Sequence, residues 1–377
     1  METSINNGWR IVKFKDCITQ LNTGLNPRDN FTLGNGSIKY ITAKNLTKHG
    51  RIDFTKCDYI DERAKRIINK RSDIRIGDIL FSSRAPIGQC HLIKEEPKSY
   101  DIGESIFAIR VNKEVVLPEY LCLYLASDYF VKAASKHTTG SIILEIRVGD
   151  LMNTDVIIPP KKVQENISKC INSIDEKIYQ NDSINNNLYQ QAMTVYMHKF
   201  FRKTPNGQLK DVIFDQPKSS IQVGDAKTLV GEFPFFTSGK EILEYPTYLV
   251  DGRNIFLNTG GNADVKLYVG KASYSTDTWC IQGKDNLTDY LFLFLSSINV
   301  ELDKKYFQGS TLKHLQKDLL KSRSFYVPNY EEICEFNSII QPLLTKISTN
   351  TIENNKLVRL RTWLLPMLMN GQATIVD

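Results

Sequence analysis

The chain has 377 residues, 41% apolar and 24% charged, ordinary proportions for globular domains that exclude a disordered or fibrous low-complexity chain. At about 100 to 200 residues per domain, this length predicts two or three domains. The net charge of +6 is mild, and seven cysteines without a CxxC pair argue against a disulfide framework and against a zinc site. The densest apolar stretch, residues 290–295, is far shorter than the roughly 20 residues a bilayer needs. The N-terminus (METSINNGWR) lacks a basic segment followed by an apolar one, so the expected location is the cytoplasm, with no membrane partner.

Taken from the N-terminus, residues 77–81 (GDILF) and 105–111 (SIFAIRV) predict strands, and residues 117–130 predict a helix. Beyond Pro159-Pro160 the period changes. Ile167, Ile171, Ile174, Ile178, Asn181, Asn185, Leu188, Ala192 and Val195 are spaced alternately by four and three, the seam of a coiled coil. About 38 residues at about 1.5 Å each make a rod of roughly 55 Å. Asparagines in a seam cost stability and fix register, so Asn181 and Asn185 align one helix on another. A second reading stays open, in which the helix packs on its own globular domain with the asparagines at the rim.

Pro205-Asn206-Gly207 predicts a turn, after which residues 254–259 (NIFLNT) and 278–281 (TWCI) predict strands. The next segment exposes a duplication: LTDYLFLFLSS at 287–297 repeats LPEYLCLYLAS at 117–127. From Gly140 onward the two copies match without a gap for about 60 residues, Gly140-Ser141 returning as Gly309-Ser310, Pro159 as Pro328 and Ile171 as Ile340. Upstream the offset drifts, from 195 (Thr42 with Thr237) to 176 (Ile79 with Ile255), and the second copy is shorter at its front. The second tail repeats the seam with Phe336, Ile340, Leu343, Ile347, Asn350, Asn354, Leu357, Arg361 and Leu364, and Asn370-Gly371 marks its end.

No catalytic constellation is visible. The five histidines are scattered without metal-ligand spacing, and GxSxG, GxxxxGK[ST] and GxGxxG motifs are missing. The acidic pairs Asp61-Glu62, Glu95-Glu96 and Glu331-Glu332 read as turn or first-turn residues. The net charge divides as +4 over residues 1–160, +1 over 161–200, +2 over 201–330 and −1 over 331–377, so the excess lies on the variable regions and not on the tails.

Together with the duplication, IGDILFSSRAPIG at 76–88, TTGSIILEIRVGDLMNTDVIIPP at 138–160, FPFFTSG at 233–239 and GSTLKHLQKDLLKSRSFYVPN at 309–329 give a chain that resembles the specificity (S) subunit of type I restriction-modification systems. The sequence departs from that pattern in two places. A glutamine follows the proline pair only in copy one (Gln164-Glu165, against Glu331-Glu332-Ile333), and residues 254–265 match GDILFSSRAPIG only loosely. The resemblance implies an α+β protein with two tandem α/β target-recognition domains, 1–160 and 204–330, each followed by a conserved helix, 161–203 and 331–372. The helices would form an antiparallel coiled coil with pseudo-two-fold symmetry. It also implies a non-catalytic subunit that reads an asymmetric bipartite target in double-stranded DNA. Catalysis would then belong to partners: two methyltransferase subunits carrying S-adenosylmethionine, and restriction subunits using ATP and magnesium. This chain would bind no cofactor and no metal.

Base-reading loops need cations and small hydrogen-bonding residues beside glycines or strand ends. In copy one these are Thr42, Lys44 and Asn45, then Ser82, Ser83 and Arg84, then Lys136, Thr139 and Ser141. In copy two they are Ser238 and Lys240, then Asn258, Thr259 and Lys271, then Lys305, Gln308, Ser310, Lys313 and His314. The basic run Arg63, Lys65, Arg66, Lys70 and Arg71 fits a phosphate contact or a solvated helix face, and Trp9, Trp279 and Trp363 fit core or interface positions. Two readings of another class remain: an enzyme acting on DNA, and a coiled-coil scaffold or DNA-binding protein of another phage-defence system.

Overall fold

In the computed structural model, which describes residues 8–135, 145–309 and 313–375, the chain forms two compact units: residues 1–176 with 359–377, and residues 177–358. In the first unit, Ile18–Thr23, Ile106–Val111, Ile79–Ser82 and Cys90–Leu92 form an antiparallel sheet in that order. Its central strands are apolar on both faces over residues 79–81 and 106–109 because both faces are covered. Ile79, Phe81, Phe107 and Ile109 pack with the helix Pro118–Leu125, whereas Leu80, Ile106 and Ala108 pack with Ile41, Tyr100 and Ile102. The latter belong to a three-stranded sheet ordered Asp58–Ile60, Ile38–Ile41, Tyr100–Ile102, the last pair parallel.

The second unit repeats this plan strand for strand. Ile213–Asp215, Thr278–Gly283, Arg253–Asn258 and Val265–Val269 make the antiparallel sheet, and Leu243–Tyr245, Phe233–Phe236 and Ser273–Tyr274 the mixed one. Residue pairing places Ile79 opposite Ile109 and Ile255 opposite Ile281, which confirms the offset of 176 at that strand. Thr42 and Thr237 each follow the first strand of the mixed sheet, which confirms the offset of 195 there. The shortening between these points has a physical form. Copy one carries two 3-10 turns and the helix Glu62–Ser72, capped by the Asp61 carboxylate on the Ala64 N–H at 2.7 Å, and copy two has no helix in the interval.

Two expectations need correction. Residues 117–130 are not one helix: Pro118–Leu125 stops, and the Ser127 hydroxyl accepts the Phe130 N–H at 3.3 Å to start a second helix, Asp128–Ala134. Gly207 is not in a turn, because Gly207–Gln208 pairs with Ser324–Phe325 and the Asn206 amide fastens Val327 from both sides.

The long helices are Lys161–Phe200, directly after Pro160, and Tyr330–Met369, with Gly371 beyond it at φ +75°. The boundary between the units falls within both helices. In the first unit, Ile167 and Ile171 share a core with Leu365, Leu368 and Met369, and Arg361 Nε meets Asp175 Oδ1 at 2.7 Å. In the second, Asn181 Nδ2 donates to Asn354 Oδ1 and Asn350 Nδ2 to Asn185 Oδ1, each at 2.9 Å, while Lys199 pairs with Glu335. Within that unit the partner's number falls as the first helix advances, so the helices run antiparallel. Asn181 is 1%, Asn350 0% and Asn354 8% exposed, which puts these three inside the seam and not at a rim, and Asn185 is half-buried. The same helices also pack on the domains, as Ile333, Phe336, Ile340 and Leu344 do against the second sheet and its helix. Among the described residues no helix is long and apolar enough to cross a membrane.

Candidate nucleic-acid interface

Each copy gathers three chain segments at the end of its central strand. In copy one the Ser83 N–H donates to Ser105 O (3.0 Å), Ser83 O accepts from the Ile146 N–H (2.8 Å), and Arg84 and Glu145 form a β-bridge. The Ala43 N–H reaches Ser105 Oγ at 3.0 Å, adding the loop after the mixed sheet's first strand. In copy two the Thr259 N–H donates to Asp277 O (3.0 Å), Thr259 O accepts from the Leu315 N–H (3.0 Å), and Gly260 bridges His314. The Ser238 hydroxyl donates to Asp277 O. Ser83 and Thr259, Ile146 and Leu315, Glu145 and His314 are equivalent by the offsets of the duplication, so the backbone bonds and the bridge are duplicated, while the link from the loop after the mixed sheet's first strand joins equivalent positions with backbone and side chain exchanged.

Several expected contact residues are consumed in building the junction. Ser82, fully buried, donates to Pro86 O (2.6 Å) and accepts the Gln89 N–H (2.8 Å), and Ser83 Oγ donates to Ser105 O (3.1 Å). Asn45, also buried, accepts the Thr42 N–H (2.9 Å) and hydroxyl (3.0 Å) and donates to Asp53 O (3.3 Å). The Asn258 amide, likewise buried, donates to Ser238 O (2.8 Å) and Asn262 O (3.2 Å). Lys44 and Lys240 are exposed on the adjoining loops. Arg84 Nη1 sits 2.7 Å from Glu104, and its Nε 3.4 Å from Glu145. Hydrogen bonds from Asn26 and Arg84 hold the Glu104 carboxyl below its usual range.

Gln308 and His314, both exposed, face each other in a short antiparallel strand pair, and Lys313 pairs with Asp303 at 2.9 Å. Lys305 sits on the preceding turn, 3.7 Å from Glu301. Lys271 does not join the junction. It adjoins the bridge between Val250 and Ala272, at the opposite end of the strand Arg253–Asn258, with its ammonium 4.7 Å from the Tyr248 ring centre. Lys136, Thr139, Ser141 and Ser310 lie outside the described residues. On the helix Glu62–Ser72, Lys65 donates to Pro97 O and Arg71 to Thr23 Oγ1, while Arg63, Arg66 and Lys70 are exposed. Trp279 is buried, Trp9 packs against the first core, and Trp363 is 60% exposed.

Sequence reading missed Lys266, whose ammonium ties Thr237 O (3.0 Å), Gly239 O (2.8 Å) and Asn258 Oδ1 (3.3 Å) together beneath the loop. A lone lysine inside the apolar strand VKLYV was its only signal. It also missed the latches between domain and helix. In copy one Arg51 pairs with Glu176, His49 Nδ1 lies 3.4 Å from Asp175, and His91 Nδ1 contacts Gly50 O at 2.7 Å. Burial holds His91 below its ordinary value. In copy two Arg253 donates to Asp289 (2.9 Å) and to Thr345 Oγ1 (2.9 Å). Burial raises the Asp289 carboxyl despite that arginine.

Two copies of one backbone frame, each continued by a long helix, define a duplicated α+β protein. Residues 6–190 and 206–361 both match the model of the type I restriction modification DNA specificity domain, and the chain belongs to that family. It is 23% identical over 418 aligned residues to the type I restriction enzyme MjaIX specificity subunit of Methanocaldococcus jannaschii, covering 98% of this chain and 94% of that one. The type I restriction enzyme HindI specificity subunit of Haemophilus influenzae is 30% identical over 143 residues, 37% of this chain and 29% of its own. The fold is shared with a crystal structure of the type I restriction-modification S subunit from M. genitalium, at a TM-score of 0.63 and 14% identity over 98% of this chain and 97% of that one.

Proposed function

We propose that each recognition domain reads a different half of a bipartite DNA target, through its junction loops in the major groove. The observation that carries this reading is the junction itself: one backbone frame used twice, whose bridged positions carry the accessible side chains of Arg84 and Glu145 in copy one, and Gly260 with the exposed His314 in copy two. Equal frames with different side chains suit two half-sites of different sequence. The exposed lysines beside the loops, Lys44 and Lys240, position the domain on phosphates, which carry no sequence information, and base edges supply the specificity.

The paired helices set the spacer between the half-sites and dock the other subunits. Those are two methyltransferase subunits, which supply S-adenosylmethionine and modify adenine, and restriction subunits, which use ATP and magnesium. This chain contributes target choice and no bond-making step. Mapping adenine methylation across the host genome with and without the gene tests the reading. The expected result is loss of one split motif of two unlike halves, and an unchanged methylation pattern would refute it.

A further inference from the structure

Trp279 lies beside the second junction, on the strand residue next to Thr278, and its neighbours are unusual. The Asp215 carboxylate accepts the Trp279 indole N–H at 2.8 Å and the Lys321 ammonium at 2.5 Å. Lys317 and Lys321 place their ammonium groups 5.2 and 5.4 Å from the indole centre, within cation–π range. Burial beside the ring holds the Lys317 ammonium below its ordinary value; Asp215 opposes that, and Lys321 and Lys218 reinforce it. Lys317 thus lies among like charges from Lys321 and Lys218, and of these lysines it is Lys321 that is bonded to Asp215.

The duplication supplies an internal control for what this cluster is for. The short helix Lys317–Lys321 corresponds residue for residue to Val148–Met152 in copy one, and pairing places Trp279 opposite Leu257 as Phe107 stands opposite Phe81. The same frame is therefore built in copy one with Phe107, Val148 and Met152. The fold does not need lysines at this place, and in copy two they crowd like charges at a cost. Lys317 is two residues beyond Leu315, whose N–H holds Thr259 O at the junction. A phosphate reaching this corner would relieve the crowding, and lysine is a compact point charge suited to it.

We propose that Lys317, flanked by Lys321 and Lys218, anchors a backbone phosphate of duplex DNA next to the half-site read by the second domain, a contact that the first domain lacks at the equivalent position. The proposal rests on the DNA-reading function above. It is tested with the full chain in its methyltransferase complex, by titrating a random-sequence duplex and a duplex bearing the mapped target at several salt concentrations. Lys317→Gln should weaken binding of both duplexes by the same factor and flatten the slope of log affinity against log salt by about 0.9, the value for one phosphate contact. Lys317→Arg should restore the slope. Lys317→Val, the residue that copy one uses in this frame, should repeat the Gln result with the fold intact. Affinity and slope at wild-type values in the Gln and Val variants would overturn the proposal, as would a loss confined to the target duplex. A wild-type complex that showed no preference for the target would instead remove the DNA reading on which it stands.

Discussion

The two recognition domains agree in backbone and disagree in chemistry. Strand order, pairing register and the backbone hydrogen bonds of the junction repeat from copy one to copy two, yet each copy is fastened to its helix in its own way. Copy one uses Arg51 on Glu176 and His49 beside Asp175, both reached from the loop between the first two strands of its mixed sheet. Copy two has shortened that loop and uses Arg253, from the end of a central strand, on Thr345 Oγ1 and Gln341 O of its long helix, while the same guanidinium holds the buried Asp289 of its own domain. The frame depends on apolar alternation, which many residues satisfy. The latches are specific pairs, and each copy found its own.

The largest effect should follow from breaking the copy-two latch. Arg253→Ala leaves Asp289 buried without its counter-ion and should cost the second unit about 3 to 5 kcal/mol in denaturant unfolding. Arg51→Ala breaks a pair in which both side chains are well exposed, and should cost less than about 1 kcal/mol. Equal losses would erase the distinction between the two latches.

A second difference lies in the mixed sheets. Asp101, fully buried and bonded to Ser72 and the Ile102 N–H, has its carboxyl raised from 3.8 to about 6, chiefly by burial, whereas Ser273 holds the equivalent place in copy two. A carboxyl raised in the folded state binds protons more tightly there than in the unfolded chain. Its contribution to the first unit's stability is therefore fully present below about pH 3.8 and is lost as pH rises to about 6, with a slope of up to about 1.4 kcal/mol per pH unit. Unfolding of Asp101→Asn across that range should lack this component, and a wild-type-like slope in the variant would assign it elsewhere.

A smaller effect separates the seams. In the second unit Asn354→Ala strips partners from Asn181 and Asp182 and should cost about 1 to 3 kcal/mol. Asn→Ala at Asn186, exposed outside the seam, should cost almost nothing in the same unfolding assay. A cost equal to that of Asn354→Ala would mean that seam position does not matter.

The duplication, the two helices and their asparagine seam were legible in the sequence because they rest on period and offset, which survive divergence. The drift from 195 to 176 was legible too, and the structure gives its cause in the helix Glu62–Ser72. The contact residues were harder to read. Ser82, Ser83 and Asn258 have the composition of a reading loop because a small polar side chain beside a strand end serves equally well to close the loop on itself. Lys271 follows Asn258 closely in sequence, but one strand length separates them in space. Arg253, His49 and Lys317 gain their meaning from partners distant in sequence, which no local pattern reveals.

The central claim is that two equivalent frames read two different half-sites. Its most direct test is to replace residues 210–330 with the same region of a relative of different specificity and to map adenine methylation in cells carrying the chimaera. The account predicts a motif in which one half changes and the other half is retained. A motif changed in both halves, or in neither, would contradict it.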